Sequence, residues 1–114
     1  MKKAKEWIGV DLDGTLAEYT DWIGIEHIGK PIPPMVERVK NWLTEGKSVK
    51  IFTARVAHGP EVISHIHEWL VMQGLPALDV TNVKDFNMVE LWDDRCVSVI
   101  TNTGMPRFHQ DEEI

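Results

Sequence analysis

Short apolar runs of strand length alternate with longer amphipathic stretches along most of this chain, and that alternation restricts the fold more than any single residue does. Residues 6–10 form a continuous apolar run bounded by an Asp-Gly turn. Met35, Val36, Val39, Trp42 and Leu43 then recur at helical spacing, with Glu37, Arg38, Lys40 and Asn41 on the other side. Pro34 suits the first turn of that helix, and Gly46 suits its stop after about residue 45. Ser48–Phe52 reads as a second strand. A second helix opens at Gly59-Pro60, turns Val62, Ile63, Ile66, Trp69 and Leu70 inward, and ends at Gly74. Residues 78–83 and 88–92 read as third and fourth strands, and residues 97–100 as a short fifth. Such an order predicts an α/β fold: a small three-layer, Rossmann-like arrangement with a mostly parallel sheet and flanking helices. The pattern becomes irregular after the third strand. Residues 84–87 are too few for an ordinary parallel crossover, so either that connection is a stretched loop or one strand is antiparallel or irregular. Only Arg95 and Cys96 separate the fourth and fifth strands, which predicts a hairpin there.

At 114 residues the chain is expected to be one domain, residues 1–108, with a polar, acidic tail at 109–114 that reads as mobile. The net charge of −6 argues against a uniformly basic nucleic-acid surface. The single cysteine, Cys96, excludes an intrachain disulfide and reads as a small core residue beside Val97. No apolar run approaches the ~20 residues of a membrane helix. The basic Met1-Lys2-Lys3 start leads into a stretch broken by Asp11 and Asp13, which is not a signal peptide, so the cytoplasm is the expected compartment.

Chemistry concentrates where the first strand ends, in Val10-Asp11-Leu12-Asp13-Gly14-Thr15-Leu16. Asp11 and Asp13 project from a strand end into a loop, where open α/β sheets place their ligands. Two like charges held close near a protein surface repel by ~4 kcal/mol. A bound cation, or a proton on one carboxyl, relieves that repulsion. Both conditions suit phosphoryl transfer to a carboxylate nucleophile. A glycine after the acids lets the backbone approach a phosphate and offer an N–H. Paired acids recur at Asp93-Asp94, after the fourth strand, and with Asp11 they supply the hard oxygen ligands that Mg²⁺ prefers.

Asp-x-Asp-Gly-Thr-Leu after an apolar strand resembles the first signature of the haloacid dehalogenase-like phosphohydrolases. The resemblance implies that Asp11 attacks phosphorus to form an aspartyl-phosphate. It implies that Asp13 protonates the leaving oxygen and then activates water. These roles require one ionised and one protonated carboxyl. It further implies that Thr53, at the end of the second strand, hydrogen-bonds a phosphoryl oxygen. Lys84 would neutralise nucleophile and phosphate, with Lys50 and Lys47 as less well placed substitutes. Asp11, Asp93 and Asp94 would hold Mg²⁺ together with the backbone carbonyl of Asp13, whichever of Asp93 and Asp94 touches the metal directly. The segment after Lys84 is shorter than the common family pattern, which has a helix there. Residues 17–33 have room for a small flap but no cap domain, so the chain looks like a capless member.

Arg55 and Arg95 flank the second and fourth signatures and are candidates, with Gly14, for contact with a substrate phosphate. Thr53-Ala54-Arg55 and Asp93-Asp94-Arg95 also resemble, in short scattered pieces, the phosphatase domain of phage-type polynucleotide kinase-phosphatases. Trp22, Glu26, His27 and His58 lie on loops that could border the pocket. The expected function is Mg²⁺-dependent hydrolysis of a phosphate monoester on a phosphorylated small molecule or nucleotide. An open site also admits a polynucleotide end, which the net charge does not favour, or closure by a second subunit. Two rivals remain: a phospho-ligand-binding or regulatory module without turnover, and a phospho-accepting receiver domain. The latter is disfavoured because Thr53, not an Asp, ends the second strand.

Overall fold

The computed structural model describes residues 5–108; the acidic tail at 109–114 lies outside them. Four strands form one all-parallel sheet in the order β3-β2-β1-β4. They are β1 (Trp7–Val10), β2 (Ser48–Phe52), β3 (Val80–Thr81) and β4 (Met88–Trp92). Helix α1 (Pro33–Thr44) connects β1 to β2, and α2 (Glu61–Met72) connects β2 to β3 after a 3-10 turn at Ala54–His58. Pro33 and Pro34 occupy the first helical positions of α1, where a missing N–H costs nothing.

Both helices pack on the same face of the sheet. The core joins Ile8, Val10, Val49 and Ile51 to Val36 and Val39 of α1 and to Val62, Ile66 and Leu70 of α2. Two successive right-handed crossovers that step the same way across a sheet put their helices on one side. Trp69 is buried as its spacing predicts, and Trp42 packs edge-on against Trp92 with ring centroids 5.2 Å apart.

The opposite face is covered differently, and the reason lies after β3. All four strands are parallel, so the short connection is a stretched loop. The third strand shrinks from the expected residues 78–83 to Val80–Thr81, which lengthens the connection to residues 82–87. The register fixes its span: Thr81 is level with Phe52, and Met88 with Trp7 at the far edge. Three strand spacings across and four residues back make a diagonal of about 20 Å, while the Cα steps available reach at most about 25 Å. The segment is therefore a nearly extended strap with no length left for a helix. The indole of Trp7 donates to Asp85 Oδ1 at 3.0 Å, and Lys50 Nζ lies 4.6 Å from the Trp7 ring. On this face the third layer is a strap.

Two expectations near the carboxyl end are corrected. Residues 97–100 add no strand to the sheet. The Asp93 carboxylate accepts the Arg95 N–H at 2.7 Å and turns the chain away from β4. Val99 then bridges to Pro106 in a separate small hairpin. That turn also leaves Cys96 exposed instead of in the core. Among the described residues no helix is long and apolar enough to cross a membrane.

Candidate functional site

The site forms at the carboxyl ends of adjacent strands. Asp11 continues the pairing of β1 one residue further, donating its N–H to the Trp92 carbonyl at 2.9 Å. That bond brings Asp11 beside Asp93 and Asp94, which follow β4 directly. One oxygen from each of the three carboxylates lies within 4.8 Å of the others. Burial first, then the charges of Asp93 and Asp94, push the Asp11 carboxyl from its usual 3.8 up to about 7. The cluster thus carries an unrelieved excess of negative charge.

Loop geometry holds the cluster in place. The Leu12 carbonyl accepts the N–H groups of Thr15, Leu16 and Ala17, which coils the chain tightly after Asp11. Thr15 Oγ1 reaches Asp11 Oδ2 at 3.3 Å and Asp94 Oδ1 at 3.4 Å, and accepts the Asp94 N–H at 3.0 Å. Gly14 has φ +93°, and a Cβ there would stand 2.5 Å from Asp94 Oδ2. The conformation favours glycine, and any larger residue would displace the Asp94 carboxylate. The Asp13 carbonyl accepts no hydrogen bond among the described residues.

Asp13 has a different environment from Asp11. Arg55 Nε donates to Asp13 Oδ2 and Arg55 Nη2 to Asp13 Oδ1, each at 2.8 Å. Arg55 is only 4% exposed. Two of its three remaining donors reach the carbonyls of His27 at 2.9 Å and Ile25 at 3.4 Å. These carbonyls belong to the flap over residues 17–32, whose base is tied by the Glu18 N–H to the Lys30 carbonyl at 2.8 Å. Trp22 from the same flap stacks on His58 with ring centroids 4.7 Å apart. The Arg55 guanidinium carbon lies 4.9 Å from the Trp22 ring.

Thr53, buried at the end of β2, accepts the Arg55 N–H through Oγ1 at 3.1 Å. Among the described residues its hydroxyl donates no hydrogen bond. Asp11, Asp13, Thr53 and Arg55 line a cavity of about 350 Å³ with Tyr19, Trp22, His58 and Arg95 at its other walls.

The expected residues are therefore mostly assembled, with two differences. Arg55 reaches the site, but its guanidinium is engaged by Asp13 and the flap, so it acts as a buried brace. Lys84 lies in the strap, is exposed, and does not line the cavity. Burial and the charges of Asp93 and Asp11 push the Cys96 thiol up, and the charge of Lys84 opposes them. Neither substitute lysine serves: Lys50 sits over Trp7, and Lys47 pairs with Glu45 at 3.4 Å before β2 begins. Sequence reading missed Thr15, taken only as part of a turn, and missed the partnership of Asp13 with Arg55. The sequence signal for the latter was an arginine just beyond a strand that neighbours β1.

No family profile matches this chain, and neither does any curated protein sequence. Among solved structures, the fold is similar to that of a conserved protein from Bacteroides thetaiotaomicron, at 25% sequence identity and a TM-score of 0.63. The similarity covers 82% of this chain and 79% of that one.

Proposed function

We propose that this protein is a Mg²⁺-dependent phosphatase that hydrolyses phosphate monoesters in the manner of the haloacid dehalogenase-like phosphohydrolases. The observation that carries the reading is the convergence of Asp11, Asp93 and Asp94 oxygens within 4.8 Å beside a cavity that also receives Asp13 and Thr53. The donor set fits Mg²⁺: all ligands are hard oxygens, carboxylates are few, and space remains for water and phosphate oxygens. Burial and the neighbouring Asp93 and Asp94 charges, which raise the Asp11 pKa, concentrate negative charge where a cation would bind. Bound there, the cation would offset that charge and polarise the phosphoryl group.

In this reading Asp11 Oδ forms a bond to phosphorus as the ester P–O bond breaks. Asp13 gives its proton to the departing oxygen. It then takes a proton from water, whose oxygen attacks phosphorus, frees Asp11 and releases inorganic phosphate. Thr53 donates its hydroxyl hydrogen to a phosphoryl oxygen, and the Gly14 region presents backbone. Arg95, on the cavity wall, supplies the cation nearest the substrate, and Lys84 adds charge from the strap. The cavity size suits a phosphorylated small molecule or a nucleotide.

The test is turnover of p-nitrophenyl phosphate and of a nucleotide panel, with and without Mg²⁺, by the wild type and by Asp11→Asn. Equal Mg²⁺-dependent turnover in both proteins would remove Asp11 as nucleophile. One observation favours a second reading, a phospho-ligand-binding module without turnover. Both Asp13 oxygens are held by Arg55, and proton transfer requires one of those bonds to open. Calorimetry showing a phosphorylated ligand that binds and is never hydrolysed would favour the module.

A further inference from the structure

Residues 97–108 stand apart from the rest of the molecule. Val97, Val99, Ile100, Met105 and Phe108 are all large apolar side chains and all exposed. Yet the segment is folded: the Ile100 N–H donates to the Met105 carbonyl at 2.8 Å and the Arg107 N–H to the Ser98 carbonyl at 2.7 Å. Arg107 Nε adds a bond to Ser98 Oγ at 2.9 Å. Among the described residues no hydrogen bond joins this hairpin to the body. The radius of gyration is 15.3 Å, against about 13 Å for a rounded domain of this length. A hairpin that satisfies its own backbone while exposing its apolar side chains is a preformed arm.

The body has the matching deficit. Because the strap replaces a helix, one sheet face lacks a helical cover, and Val83, Phe86 and Val89 are exposed on the strap and on β4. Phe86 is fully exposed. Among the described residues β4 is also an edge strand, paired with β1 alone.

We propose that a second copy of this chain covers these surfaces, each copy laying its arm on the strap and β4 of the other. A second copy is the occupant that answers both deficits at once, because every chain carries both the arm and the bare face. The area suffices. An aromatic ring of this kind carries ~200 Å², and with the aliphatic side chains the apolar surface on offer is on the order of 800 Å² per copy, the share that a stable interface needs. Charge agrees locally: residues 97–108 carry Arg107 and no acid, while the strap and β4 carry Asp85 and Glu90 against Lys84. The exchange is isologous and closes at two chains. Arg95 stands at the base of the arm and lines the cavity, so seating the arm also fixes a residue of the site.

Sedimentation equilibrium of the full chain across a dilution series tests the proposal, with the mass of two chains expected. Phe86→Lys and Val99→Lys alter side chains that are exposed in one copy. Each is expected to keep the circular dichroism spectrum and to weaken dimerisation at least about tenfold. In a Cys96→Ser background, Phe86→Cys protein mixed with Val99→Cys protein is expected to give the mixed disulfide in preference to either like pair. A wild type that stays monomeric overturns the proposal. So does a dimer indifferent to both lysines, or a Phe86→Cys/Val99→Cys double variant that closes its disulfide within one chain.

Discussion

Arg55 holds both oxygens of Asp13 at 2.8 Å and, with the same guanidinium, the flap carbonyl of His27 at 2.9 Å. One buried side chain thus sets the position of the carboxylate and of the loop above it. Removing it leaves the partly buried Asp13 carboxylate without its partner and releases the flap. Arg55→Ala is expected to cost about 3 kcal/mol in urea unfolding, the scale for breaking a buried pair from one side. Arg55→Lys should recover little, because an ammonium cannot span both oxygens. A loss below about 1 kcal/mol would mean that the pair behaves as an exposed one.

The Asp11 carboxyl makes stability depend on pH in a defined direction. Its pKa is raised on folding from 3.8 to about 7, by burial first and then by Asp93 and Asp94. Between those values the folded protein binds more protons than the unfolded chain. Stability of the metal-free protein therefore falls as pH climbs from about 4 to about 7, and is lowest above that window. Mg²⁺ should raise the Tm more at pH 8 than at pH 5, since protons compete for Asp11 at the lower pH. Tm measured against pH with and without Mg²⁺ checks this. Asp11→Asn should flatten that part of the metal-free profile, and an unchanged slope would assign the effect elsewhere.

Gly14 and Gly46 separate backbone strain from steric exclusion. Both have positive φ, +93° and +85°, so alanine at either position costs about 1 kcal/mol. Around Gly46 nothing lies within 4 Å, and that cost should be all that Gly46→Ala shows. At Gly14 a Cβ would also meet Asp94 Oδ2, so the carboxylate must move. Gly14→Ala is expected to weaken Mg²⁺ binding by tenfold or more in a calorimetric titration, with Gly46→Ala unchanged. Equal metal affinity in the two variants would take Asp94 out of the metal set.

The strand ends that build the site were legible because they rest on local patterning. An apolar run ending in acids fixes Asp11 at the end of β1, and a second such run fixes Asp93 and Asp94 at the end of β4. Their adjacency is expected from the resemblance and not from patterning, since it depends on β4 pairing with β1 at the far edge of the sheet. The brevity of residues 84–87 leaves a stretched loop and an antiparallel strand both open, and local patterning does not choose between them. Lys84 is a candidate only through the resemblance, and the strap that carries it keeps it off the cavity wall. The sequence marks Arg55 as a candidate phosphate contact and not as the partner of Asp13, because that partner lies 42 residues away in sequence. Periodicity reports which face of an element is buried, and pairings of that range lie beyond it.

The strap rests on a contact whose pH dependence runs opposite to that of Asp11. The Asn87 N–H first, then the Trp7 indole, hold the Asp85 carboxyl below its ordinary value of 3.8. A depressed carboxyl contributes stability that is complete above its unfolded pKa and is lost as pH falls through the lower, folded one. The strap should therefore loosen only in acid, below about pH 4, whereas the Asp11 cluster is disfavoured toward neutral pH. Tryptophan fluorescence can follow the strap through Trp7, with Trp7 emission isolated by difference from a Trp7→Phe variant. Asp85→Asn keeps a carbonyl oxygen for the indole but removes the charge. It is expected to abolish the acid transition while leaving the one near neutral pH intact. If both transitions moved together, the strap and the carboxylate cluster would titrate as one unit, and the extended segment 82–87 would be a coupled part of the site instead of a separate cover on the sheet.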